Sequence, residues 1–149
     1  MHRFVASGFL VGLIPSRLWG SHNGAGTFGA VLAATAAFLW MDQPWWWHLL
    51  VAGVFIALSL WSAAPFSLDH EDPGWVVVDE MAGTFIAVIG LSGWPWLVAV
   101  VVARLADIFK VLPGVSRAEG LPGSIGVTMD DVIAGLYGLG AGWLVWWLL

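Results

Sequence analysis

The chain has no cysteine. Disulfide frameworks, thiolate nucleophiles and zinc–thiolate sites are therefore excluded. Charge is also scarce: 10% of the 149 residues are charged, whereas a soluble globular domain carries about a quarter. Lys and Arg together number 5 against 10 Asp and Glu, for a net charge of −5. No basic stretch offsets that balance, which argues against a nucleic-acid partner. Tyrosine occurs once although tryptophan occurs 12 times. Internal repeats, heptads and low-complexity tracts are missing, and no small-residue cleavage site follows the apolar stretch 4–14, so that stretch is expected to stay in the chain.

What is present is hydrophobic. The composition is 60% apolar and the mean hydropathy is +0.87. These values, with tryptophan's preference for the membrane interface, predict an all-α polytopic membrane protein forming a single membrane-embedded domain over residues 1–149. Apolar segments near membrane length need about 20 residues. Five are predicted, at 27–41, 45–64, 73–91, 94–112 and 129–149, the first of them short. A further apolar piece at 3–14 is too short to span and is expected to be an interfacial or re-entrant helix. Turns at "DQP" (42–44) and "SGWP" (92–95) separate the segments. Asp72 before Pro73 reads as an N-cap, and "TMDD" (128–131) as a capping box.

Five alternating spans sort the charges. Arg3, Arg17 and Arg117 fall on one face, with Arg104 and Lys110 towards it, while the other face has no Lys or Arg. The positive-inside rule makes the first face cytoplasmic. Nine of the 12 tryptophans (40, 45, 46, 47, 94, 96, 143, 146, 147) gather at the opposite end, as an aromatic belt. Every acid except Asp42 lies on, or within a few turns of, the cytoplasmic face.

The chemistry-bearing residues therefore share one layer. Asp79 and Glu80 stand side by side in an uncharged run, and Asp72, seven residues earlier, would fall on the same helical stripe as Asp79. Intramembrane acids are costly and usually functional, the plain alternative being a salt bridge to Arg104 or Lys110. Arg104, Asp107 and Lys110 step by three, forming either a self-contained ion-pair ladder or a mixed cation–acid site. Asp130 and Asp131 follow a glycine-rich stretch; they could complement a helix dipole or bind a hard cation such as Mg2+. "NGAGTFGA" (23–30) places Gly26 and Thr27 at a helix start, where backbone N–H groups favour an anion. Carboxylates, a few cations and a helix N-terminus at one depth suit a phosphate ester in the headgroup layer, with the metal required to offset repulsion between acids and phosphate.

Four blocks in order, "GTFG" (26–29), "DPGWVVVDEMAG" (72–83), "RLADIFKVLPG" (104–114) and "LPGSIGVTMDDVIAG" (121–135), resemble the signature blocks of the bacterial phosphatidylglycerophosphatase A family. The resemblance covers nearly the whole chain. It implies a Mg2+-dependent lipid phosphatase of the bacterial inner membrane, converting phosphatidylglycerophosphate to phosphatidylglycerol and phosphate. The matching positions are Thr27, Asp72, Asp79, Glu80, Arg104, Asp107, Lys110, Pro113, Gly123, Gly126, Asp130 and Asp131. The expected metal ligands are drawn from Asp79, Glu80, Asp107, Asp130 and Asp131. Asp79, Glu80, Asp107 and Asp131 are the catalytic candidates, and Gly26, Thr27, Arg104 and Lys110 would hold the phosphate. Ala25, Ala106, Val111 and Ser124 depart from the family's usual proline, aromatic, proline and glycine and bear on the shape of the headgroup pocket.

Other lipid-phosphate enzymes fit less well. Lys110 and Arg117 have the spacing of a K-x6-R motif, but the PSGH block and a later histidine that should accompany it are missing; no histidine follows His70. "ARLAD" is not the DG-x2-AR signature of the CDP-alcohol transferases. The non-enzymatic alternative is an ion or proton carrier using Asp79, Glu80, Arg104 and Asp107. It calls for charges distributed across the membrane, whereas the half opposite the acids has only Asp42.

Overall fold

The computed structural model describes residues 1–67 and 73–149; Asp72 lies outside the described residues. Among them there is no strand. Two short helices, α1 (His2–Ala6) and α2 (Ile14–Trp19), precede α3 (Ala25–Leu39), α4 (Trp45–Ala63), α5 (Val78–Ala87), α6 (Gly93–Phe109), α7 (Val115–Glu119) and α8 (Ser124–Leu148). Among the described residues, two helical stretches are long and apolar enough to cross a membrane: α4 with the 3-10 turn that extends it to Phe66, and α8.

The centre of the bundle is α5, which packs against α3, α4, α6 and α8. All of its residues except Glu80 are buried. It has 10 residues and is therefore only about 15 Å long. The 73–91 segment is thus not one continuous helix. Val76 and Val77 are held beforehand by hydrogen bonds to the carbonyls of Pro73 and Ala6, so the helix begins at Val78 instead of after Asp72. It ends in a turn at Val88–Leu91, where Gly90 takes φ +69°. The apolar composition continues to Leu91, but the backbone does not. In this turn Val88 and Leu91 are buried, and the backbone N–H groups find partners in the surrounding protein. The Gly90 N–H donates to His48 Nδ1 (3.1 Å), and His48 Nε2 lies 3.3 Å from the Trp40 carbonyl. One neutral tautomer serves both contacts.

The helices alternate in direction. The end of α3 (Trp40), the start of α4 (Trp45, His48), the turn after α5 (Gly90) and Trp143 of α8 meet at one end. Pro95 at the start of α6 lies against Gly142 of α8 there too. Gly26 of α3, Glu80 of α5 and Arg104 of α6 meet at the other end. Val5 and Ala6 cover that end of the core beside Ala63, Val76 and Val78.

Between helices in lipid, association rests on close van der Waals packing, which small residues permit. Gly135, Gly138 and Gly142 form such a stripe on α8. A Cβ at Gly135 would stand 3.1 Å from Gly83 Cα, at Gly138 2.6 Å from Ala103 Cβ, and at Gly142 2.8 Å from Ala99 Cβ. In return, a Cβ on Gly83 would lie 2.6 Å from the Asp131 carbonyl oxygen. Backbone meets backbone where α5 crosses α8, about one turn from the acids of both.

Two further expectations change. The N-terminal piece is not a single helix: after α1 the chain breaks at Gly8, Phe9 and Leu10, all with positive φ (56°, 58° and 76°), and resumes as a 3-10 turn and α2. Thr128 does not cap α8, which starts four residues earlier at Ser124 after Gly123. The buried Thr128 hydroxyl instead shares a 2.7 Å hydrogen bond with Ser59 of α4.

Candidate metal and phosphate site

The α5–α8 crossing sets Asp79 and Glu80, in the first turn of α5, against Asp131 of α8. Carboxylate oxygens of Asp79, Glu80 and Asp131 lie within 4.8 Å of one another, as do those of Asp107, Asp130 and Asp131. Asp131 belongs to both triads. Asp79, Asp107, Asp130 and Asp131 are buried, and the Glu80 side chain is 15% exposed. A cavity of about 10 Å3 opens between Glu80, Arg104, Asp107 and Asp131. That is the space of a single water or a small ion.

The cations bind the edges of this cluster. Arg104 pairs with Asp107 one turn on and lies 3.8 Å from Glu80. Lys110 does not continue the ladder to Asp107. It closes α6 in a left-handed conformation (φ 50°), which swings its ammonium onto Asp130 (2.9 Å) and Glu119 of α7 (2.6 Å). Both bonds are charge-assisted and offset the cost of burying the Lys110 ammonium.

Counting Asp79, Glu80, Asp107, Asp130 and Asp131 against Arg104 and Lys110 leaves three carboxylates in excess. Glu80 Oε2 and Arg104 Nε are buried without a hydrogen-bond partner among the described residues. Buried polar atoms are rarely left in that state, and each calls for a water, an ion or another partner. Hard carboxylate oxygens around an ion-sized space suit Mg2+ by donor chemistry, and an unsatisfied guanidinium N–H beside them suits a phosphate oxygen.

Gly26 completes the wall. It lies against Glu80 and Arg104 so closely that a Cβ there would clash with both side chains. In the first turn of α3 the Ala25 N–H donates to His22 and that of Phe28 to Gly24, leaving those of Gly26 and Thr27 without a backbone acceptor among the described residues. The exposed Thr27 faces the same opening as Arg104. Asp79, Glu80, Asp107, Asp130, Asp131, Gly26, Thr27, Arg104 and Lys110 are thus brought to one end of the bundle. Sequence reasoning missed Glu119, which nothing in its local sequence marks, and the α8 stripe, which the i, i+3, i+7 spacing of Gly135, Gly138 and Gly142 does mark.

The family described as Phosphatidylglycerophosphatase A matches residues 4–146. A Bacteroides thetaiotaomicron protein, provisionally named a phosphatidylinositol-3-phosphatase, is 37% identical over 123 residues, covering 75% of this chain and 77% of that one. The phosphatidylglycerophosphatase A of Escherichia coli is 30% identical over 120 residues, 77% of this chain and 70% of its own. That of Haemophilus influenzae is 37% identical over 70 residues, 45% of this chain and 43% of its own. No solved structure matches. With the match running almost from end to end, the chain belongs to the phosphatidylglycerophosphatase A family.

Proposed function

We propose that the chain is a Mg2+-dependent phosphatase of the bacterial cytoplasmic membrane that hydrolyses phosphatidylglycerophosphate to phosphatidylglycerol and phosphate. The observation that carries this reading is the excess of buried carboxylates around an ion-sized space, with an unsatisfied carboxylate oxygen and an unsatisfied guanidinium N–H beside it. Asp79, Glu80, Asp107, Asp130 and Asp131 would hold the metal, with Asp131 common to both triads. Bound there, Mg2+ supplies charge neutralisation and a more acidic water. Arg104 and the N–H groups of Gly26 and Thr27 grip the phosphoryl oxygens and stabilise the charge that grows on them. Lys110 holds Asp130 in place. Glu80, with one oxygen uncommitted, would take a proton from the attacking water as its oxygen bonds to phosphorus, and the leaving glycerol oxygen would take a proton from solvent water as its own bond to phosphorus breaks.

The topology we infer has five crossings with the site facing the cytoplasm. It is supported by the alternation of α3, α4, α5 with its flanking turns, α6 and α8, and by the placement of Lys and Arg. The carrier reading finds no such support. Past the acids, α5 continues with Met81, Phe85 and Ile86, all buried in an apolar cluster with Val88. The test is phosphate release by purified protein from phosphatidylglycerophosphate and from phosphatidylinositol 3-phosphate, each with Mg2+ and with EDTA. We expect Mg2+-dependent release, at least tenfold faster from the first. Release from neither removes the enzymatic reading; release only from the second replaces the substrate.

A further inference from the structure

An apolar groove leaves the site between α3 and α6. Its volume is about 590 Å3. Arg104, which lines the ion-sized cavity, also lines the mouth of the groove, opposite Thr27. The two spaces are therefore adjacent and share a residue. Along α3 the floor is made of the small residues Ala30 and Ala34; across from them α6 presents Leu97, Val100 and Val101. The only hydroxyl beyond the mouth, that of Thr35, is satisfied by its own helix, donating to the Val31 carbonyl at 2.8 Å. Between the mouth and the far end, where the Trp96 Nε1 is buried without a partner among the described residues, the walls offer a ligand no free polar side chain. Phe38 and Trp96 meet edge to face, ring centroids 6.0 Å apart, at the far end.

Length identifies the occupant. From Thr27 to Phe38 is eleven helical rises, about 16 Å. One leaflet of the hydrocarbon core is about 15 Å deep, half of the roughly 30 Å total. A groove with a charged mouth beside the phosphate site, a wholly apolar barrel one leaflet deep and an aromatic stop matches an amphiphile with a phosphorylated head and a long alkyl tail.

We propose that this groove receives one acyl chain of the lipid phosphomonoester whose headgroup sits at Arg104 and Thr27, and that the Phe38–Trp96 pair limits how much of the chain it takes. The proposal rests on the lipid-phosphatase reading. It distinguishes the substrate's own tail from bilayer lipid at large, which would coat every outward face regardless of headgroup.

Two measurements test it. The first does not require hydrolysis. Protein in Mg2+ is irradiated with phosphatidic acid carrying a diazirine in one acyl chain, and in parallel with phosphatidylcholine carrying the same chain. Labelling of α3 and α6 peptides is expected to be at least tenfold stronger with the phosphomonoester probe, to be displaced by unlabelled phosphatidylglycerophosphate, and to fall in Thr35→Trp. Labelling of the outer face of α4, around Leu50 and Val54, should follow neither headgroup nor competitor. Equal labelling of α3 and α6 by both probes would overturn the proposal. Groove labelling specific for the phosphomonoester in a protein that releases no phosphate would support the groove while removing the phosphatase reading.

The second measurement is the ratio of kcat/KM for long-chain over short-chain phosphatidylglycerophosphate. Thr35→Trp, and Val101→Trp from the opposite wall, both at exposed positions, should lower that ratio at least tenfold. Trp96→Ala should move the optimum to longer chains. Val54→Trp on the far side should leave the ratio alone. An unchanged ratio in both groove-filling variants would overturn the proposal even with the phosphatase reading intact.

Discussion

Gly26→Ala separates the demands of the helix from those of the site. Gly26 is the second residue of α3 and its φ is not left-handed, so the backbone accepts alanine. For the helix alone the change is favourable by up to about 1 kcal/mol. The new methyl, however, would lie 2.6 Å from Glu80 Cδ and 2.7 Å from Arg104 Nη2, and nearer still to Glu80 Oε1. Ordinary contact begins near 3.4 Å, so Glu80 must retreat by at least about 0.8 Å at Cδ and further at Oε1, and Arg104 by about 0.7 Å. Both are side-chain ends that can move without displacing backbone, so the fold absorbs the change. The site does not, because a misplacement of about 1 Å costs roughly 100-fold in rate. The expected result is a fall of about 100-fold in kcat/KM for phosphate release with little change in Tm. Gly53→Ala, where a Cβ meets nothing within 4 Å, is the matched control. A Gly26→Ala enzyme within twofold of wild type would refute the claim that Glu80 and Arg104 act from the positions they occupy here.

The remaining predictions follow from the same geometry. Asp131→Asn removes a carboxylate from both triads at once, so Mg2+ affinity, measured by titration calorimetry, should fall more than 100-fold; residues that merely support metal ligands cost 10- to 100-fold. Asp42→Asn, at the far end, should leave the affinity unchanged. Gly135→Ala forces a methyl against the Gly83 backbone, which has no side chain to yield, and should lower stability by about 1–3 kcal/mol, read as a drop in Tm.

Much of this site was legible in the sequence because charge is so rare in it. With few ionisable residues in an apolar chain, the choice of alternating spans alone carried Asp79, Glu80, Arg104, Asp107 and the Asp130–Asp131 pair to one layer. What could not be read was how the backbone interrupts itself. Residues 73–91 look uniformly apolar, yet the hydrogen bond from Val77 to Ala6 and the turn at Gly90 trim the helix to ten residues. Both depend on partners distant in sequence. Thr128 had the local spacing of a cap, but its hydroxyl answers Ser59, 69 residues away. Lys110 broke the step-of-three ridge because it adopts a left-handed conformation at the end of α6. That turn in the chain exchanged Asp107 for Asp130 and Glu119 as its partners.

The shortness of α5 has an electrical consequence. Below Glu80, the middle of the bundle is filled by Met81, Phe85, Ile86, Val88 and Leu91, each 5% exposed or less. In the five-crossing topology proposed above, an apolar stopper of that kind would carry most of a transmembrane voltage, and the acids above it would stay near the potential of the adjoining water. Moving a unit charge through the full field is worth about 2.3 kcal/mol per 100 mV, a cost that a phosphate dianion arriving at Arg104 would largely escape. Phosphate release from proteoliposomes should accordingly keep its rate when a potassium diffusion potential is imposed, and the protein should add no proton leak. A rate that tracked the imposed voltage would place the carboxylates inside the field instead of above it.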